Sequence, residues 1–167
     1  MSESNILSPI PEDFMRRKTL SAYTDASMKT IIDYSEFGIG VTDEPAAHGG
    51  QSAGPSPLQA VLGALCGCEA VTFRRTATEM NFEYSRIEFD AAFTIDIRGR
   101  MGDRDVRPHF QSVKLHIRVT TAQSPTDLEA VIAETEARCP VMNLIADAGV
   151  ALDVRWEHVP EVLLQAC

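Results

Sequence analysis

Apolar and polar residues alternate strictly over residues 82–98. Ile87, Phe89, Ala91, Phe93, Ile95 and Ile97 share one side, and Arg86, Glu88, Asp90, Thr94, Asp96 and Arg98 the other. Residues 111–121 repeat the pattern, with Val113, Leu115, Ile117 and Val119 opposite Ser112, Lys114, His116 and Arg118. A period of two predicts two half-buried strands, an antiparallel pair joined by RGRMGDRDVRPHF. Nearer the start, KTLSAYT, MKTIIDY and GIGVT read as three short strands between turn signals. The Gly-, Pro- and Ser-rich stretch at 44–57 reads as a loop.

The period then changes. Ser56 can cap a helix and Pro57 suits its first position. No further proline occurs up to about Met80. Leu58, Val61, Leu65, Cys68 and Thr72 recur every three or four residues, a stripe down one face of a long helix. Ser124 and Pro125 open a second helix, with Leu128, Val131, Ile132 and Thr135 on its apolar face and Cys139 next in line. Pro140 breaks it. VMNLIADA reads as a short third helix ending at Gly149, and Val150, Leu152, Val154 and Trp156 alternate as a last strand. The order βββ–α–ββ–α–α–β implies an α+β fold with antiparallel sheet. The first helix's stripe requires cover from a sheet or a second subunit. Residues 1–13 read as a loose arm and 14–167 as a single domain.

Composition adds exclusions. The chain has 167 residues, 44% hydrophobic and 23% charged, enough to bury a core without staples. Fifteen basic residues against 24 acidic ones leave a net charge of −9, which argues against nucleic acid or an anionic membrane as partner. No signal peptide and no run of eighteen apolar residues is visible, so the expected compartment is the cytoplasm. There, cysteines are thiols rather than structural disulfides.

The four cysteines are Cys66, Cys68, Cys139 and Cys167. Cys68 and Cys139 each continue the apolar stripe of a helix, and two such faces in one domain usually meet. A thiolate beside a second thiol suffices to reduce a peroxide: the first sulfur becomes a sulfenic acid and the second condenses with it. A place at the start of the short helix would favour the Cys139 thiolate. Many buried cysteines are inert small hydrophobes, and that reading stays open. Cys66 reads as packing and Cys167 as a terminal bystander. Glu69 reads as an exposed or interfacial charge. The loop arginines Arg98, Arg100, Arg104 and Arg107 read as a solvated hairpin tip with ion pairs to Asp103 and Asp105. His48, His109, His116 and His158 show no metal-ligand spacing, and no metal or organic cofactor is expected.

The runs GPSPLQAVLGALCGCEAVTFRRTATEMNFEYSRIEFDAAF and ARCPVMNLIADAGVALDVRW resemble the OsmC/Ohr family. Pro57 stands eleven residues before Cys68, and Cys139-Pro140-Val141 matches the family's second cysteine motif. The resemblance covers roughly residues 45–157. It implies an intertwined homodimer of α+β subunits, with antiparallel sheets packed around a long central helix, and thiol-dependent reduction of organic hydroperoxides, with Cys68 as the peroxidatic and Cys139 as the resolving cysteine. It also implies a dithiol reductant. The family's Glu after the proline has no counterpart in Leu58 or Gln59. Its Arg falls near Ser27, with Lys29 the nearest cation. The alternative is a non-catalytic OsmC-like protein binding a hydrophobic small molecule in the dimer-interface cleft.

Overall fold

The computed structural model describes residues 9–161. The expected arm at 1–13 lies outside them as far as residue 8, and so does Cys167. Contacts group into two compact units, one up to Pro57 and one from Leu58. The first three strands pair only among themselves, which gives the earlier unit its own sheet.

In the first unit a 3-10 turn at Glu12–Phe14 precedes β1 (Ser21–Tyr23), β2 (Thr30–Asp33) and β3 (Ile39–Thr42), paired antiparallel in that order. The loop after β3 is organised by one carboxylate. Asp43 is fully buried and accepts the backbone N–H groups of Glu44 (2.8 Å), Gln51 (2.9 Å) and Ala53 (3.1 Å). Gly50 is required there, since a Cβ would stand 1.8 Å from the Glu44 carbonyl oxygen.

The second unit starts with α1 (Pro57–Glu79) and continues with β4 (Arg86–Ile95), a short α2 (Ile97–Arg100), β5 (Phe110–Thr121), α3 (Pro125–Arg138), α4 (Pro140–Asp147) and β6 (Ala151–Pro160). β4 and β5 pair antiparallel, as their alternation predicts, with Phe89 opposite Ile117 and Ala91 opposite Leu115. Val113, Leu115, Ile117 and Val119 of the central strand β5 are buried. The other face is polar, with His116 Nε2 2.7 Å from Glu157 Oε2 and Arg118 paired to Asp90.

Two expectations change here. The strand does not run on to residue 98: its register shifts between Thr94 and Ile95, and Asp96 caps α2 by accepting the Arg98 N–H. Ile97, expected on the apolar face, is therefore exposed. In this loop Arg98 pairs with Asp96, and the Asp103 side chain accepts the Asp105 N–H. The sheet is also mixed. β6 runs parallel to β5, Leu115 opposite Val154 and Ile117 opposite Trp156. A parallel return needs a crossover of a dozen residues or more, and α3 with α4 supply it.

Phe73 of α1 sits at the centre of the core. It stacks on Trp156 at 5.5 Å and meets Tyr84 and Phe82 edge-on at 5.0 and 6.1 Å.

Candidate active site

α1 positions the first two groups. Its buried side chains are Leu62, Leu65, Glu69, Phe73, Thr76 and Ala77. At 100° per residue this face is rotated by about 70° from the stripe through Leu58, Val61, Leu65, Cys68 and Thr72. Leu65 is common to both. Cys68 stands at the edge of the packed face and is half-buried, while Val61 (44% exposed) and Val71 (54% exposed) look outward. The rotation carries Glu69 inward. Expected at the surface, it has no exposure at all, because it is four residues from both Leu65 and Phe73 and these anchor the buried stripe.

The corner between α3 and α4 positions the third group. Leu128, Val131 and Thr135 bury the expected face of α3, and Cys139 continues it, fully buried. Pro140 forces the residue before it out of helical conformation, and Cys139 has φ −71° and ψ 112°. Its N–H donates to the Thr135 carbonyl at 3.0 Å, and its carbonyl accepts from Asn143 N at 3.0 Å and Asn143 Nδ2 at 2.9 Å. Asn143 Nδ2 also donates to the Glu136 carbonyl at 3.0 Å, which pins the corner.

These elements bring Cys68, Glu69 and Cys139 together. The Cys139 thiol interacts with the side chains of both Glu69 and Cys68. Both oxygens of Glu69 lack a full hydrogen-bond partner. The group facing them is the Cys139 thiol, a weak donor. Burial pushes the Glu69 carboxyl above its usual range; the thiol opposes this, and the nearby Glu136 adds to it. Glu136 is itself engaged, accepting the Trp156 indole N–H at 2.9 Å.

The electrostatics reverse one expectation. Cys139 caps α4 and the Met142 N–H does favour its thiolate, but burial first and then Glu69 outweigh it. Its pKa is raised to about 12. Cys66, also half-buried and packed against the core, is pushed up by burial. Cys66, Cys68 and Cys139 are all free thiols.

The family model described as OsmC-like protein matches residues 49–155, most of the chain and both cysteine motifs. The chain belongs to the OsmC-like family. An OsmC-like protein from Mycoplasma pneumoniae superposes with a TM-score of 0.72 at 17% identity, covering 88% of this chain and 99% of that one. An organic hydroperoxide resistance protein OsmC from Legionella pneumophila gives 0.61 at 17%, covering 89% and 98%. The organic hydroperoxide resistance protein OhrB of Bacillus subtilis gives 0.60 at 17%, covering 86% and 98%. No curated protein matches the sequence. The shared OsmC-like fold is thus α+β, with two small sheets and four α-helices among this chain's described residues. Among its described residues, no helix is long and apolar enough to cross a membrane.

Sequence reasoning selected Cys68 and Cys139 and set Glu69 aside as an exposed or interfacial charge. The signal was present in Leu62, Leu65, Glu69, Phe73 and Thr76, a run with three- and four-residue spacing that passes through the acid.

Proposed function

We propose that this OsmC-like protein reduces organic hydroperoxides with Cys68 and Cys139. The observation that carries the reading is the asymmetry of the two thiols. Cys68 is half-buried at the edge of α1, open to a substrate, whereas Cys139 is sealed behind it and held protonated. A nucleophile must meet its substrate; a resolving thiol must only meet the nucleophile.

The Cys68 thiolate attacks the hydroperoxide. An S–O bond forms, the O–O bond breaks, and the alkoxide takes a proton and leaves as the alcohol. Cys139 then displaces the oxygen from the Cys68 sulfenic acid, forming the disulfide and releasing water. A dithiol reductant reopens the disulfide by exchange and is itself oxidised. The exposed flank of α1 near Cys68 presents Val61, Ala64 and Val71, which suits an apolar peroxide. The same apolar flank favours a second copy of the chain as its cover, in a homodimer, and a reducing cytoplasm keeps the thiols available.

The test incubates reduced protein with cumene hydroperoxide and dihydrolipoamide and follows peroxide loss. Wild type turns over, Cys68→Ser does not, and Cys139→Ser stops at the sulfenic acid. Equal consumption by Cys68→Ser and wild type refutes the reading. Leu58, half-buried against the core where the family carries its carboxylate, favours a second reading in which the protein binds a hydrophobic small molecule without turnover. Binding of an apolar fluorescent probe by a chain that consumes no peroxide would support it.

A further inference from the structure

A carboxyl group with no exposure and no full hydrogen-bond partner is costly to a fold unless it has work to do. Glu69 is such a group: both oxygens are orphaned among the described residues, and the Cys139 thiol interacts with its side chain. The same thiol meets the Cys68 side chain. A prospective nucleophile, buried Cys139, is therefore in reach of both its target sulfur and a buried carboxyl that could accept its proton. This is the spatial signature of a nucleophile with its base.

We propose that Glu69 is the proton-transfer residue for Cys139, taking the Sγ proton as Cys139 attacks the oxidised Cys68 sulfur and passing it to the departing hydroxide. The proposal rests on Cys68 and Cys139 forming the redox pair. In the step, the S–S bond forms and the S–O bond of the sulfenic acid breaks. The Cys139 sulfur is oxidised and the Cys68 sulfur reduced by the same electron pair. The proton travels from Cys139 to Glu69 and then to the hydroxide, which leaves as water, so Glu69 ends as it began.

The need for an acceptor follows from the thiol's state. With its pKa raised to about 12, Cys139 is ionised at neutral pH in only about one molecule in 10⁵. The titratable groups that act on Glu69 or feel it are Cys139, Glu136 and the α1 thiol Cys66. None is a cation, so none holds the carboxylate in a permanent ion pair that would prevent it from accepting a proton.

The experiment measures disulfide closure between Cys68 and Cys139 by quenched-flow mass spectrometry in wild type and Glu69→Gln. Two oxidants are used, cumene hydroperoxide and diamide. Diamide adds to a thiol without peroxidase chemistry and then requires the same attack by Cys139. The wild-type rate rises as Glu69 ionises and levels off once it is ionised. In Glu69→Gln the plateau disappears and closure at pH 7 slows by about 10²-fold, the lower range for general-base catalysis. The sign separates this role from a passive one. A carboxylate that merely repels the thiolate would, when neutralised, lower the Cys139 pKa and accelerate closure. Closure in Glu69→Gln as fast as in wild type, or faster, overturns the proposal, and so does a wild type that forms no disulfide with diamide. Thermal melting checks that the variant folds. If it does not, the wild-type profile decides, since a rate climbing tenfold per pH unit into the alkaline range without a plateau also overturns it. Glu69-dependent closure with diamide but no oxidation of Cys68 by the hydroperoxide would defeat the peroxidase reading and leave the role of Glu69 standing.

Discussion

The reactivity of Cys139 gives a quantitative check on the buried cluster. The perturbation is alkylation of reduced protein by iodoacetamide from pH 7.5 to 10.5. The thiolate is the reacting species, and an ordinary cysteine levels off near pH 9 as its thiolate fraction saturates. Burial and Glu69 raise the Cys139 pKa from 9.0 to about 12. Three pH units correspond to about 10³-fold less thiolate at any pH below 9. Trypsin cuts after Arg138 and Arg155, so the Cys139 peptide separates from that carrying Cys66 and Cys68, and each rate can be read by mass spectrometry. The expected Cys139 profile rises tenfold per pH unit with no levelling in the range. Poor access alone would scale the rate by a constant and leave the inflection near 9. A Cys139 profile that levels off at or below pH 9 would falsify the account of a thiol held protonated by its surroundings.

Two further predictions concern the scaffold. Phe73→Ala removes the ring that stacks on Trp156 and meets Phe82 and Tyr84, and should cost about 3–5 kcal/mol, or roughly 6–20 °C in Tm. Thermal unfolding read by the fluorescence of the sole tryptophan checks this, and a loss below about 1 kcal/mol would contradict it. In the first unit, the Ala53 N–H above all, with those of Gln51 and Glu44, holds the Asp43 carboxyl below its usual range. Its folded pKa is therefore lower than its unfolded one. The stabilisation is present above the unfolded value and is lost as pH falls through the folded value. Amide exchange at residues 44, 51 and 53 should quicken across that acid window, and Asp43→Asn should show quickened exchange already at neutral pH; unchanged protection in the variant would count against the cradle.

The strands were legible because period two leaves little freedom. Once Val113, Leu115, Ile117 and Val119 share a side, that side is the buried one, and β4 and β5 come out paired as expected. Strand direction is not carried by that period, so the parallel return of β6 had to be read from the length of the α3–α4 crossover instead. The helix α1 was legible in extent but not in orientation. Its apolar residues surround most of the axis, with Leu58, Val61, Leu62, Leu65 and Val71 on several sides, so two stripes are available and only packing selects one. Choosing the wrong stripe sends Glu69 to the surface. Cys68 lies about 60° around the axis from Leu65, on the side away from Phe73, and is half-buried there.

The crossover between β5 and β6 also sets an order of events in time. Strands joined by a long connection pair late, because the loop must close before any of its contacts forms. Cys139 lies inside that connection and Cys68 lies before it, on a helix whose hydrogen bonds are all local. The thiol pair is therefore among the last features to assemble as the chain folds. A newly made chain exposed to an oxidant is therefore expected to present Cys66 and Cys68 before Cys139 reaches them.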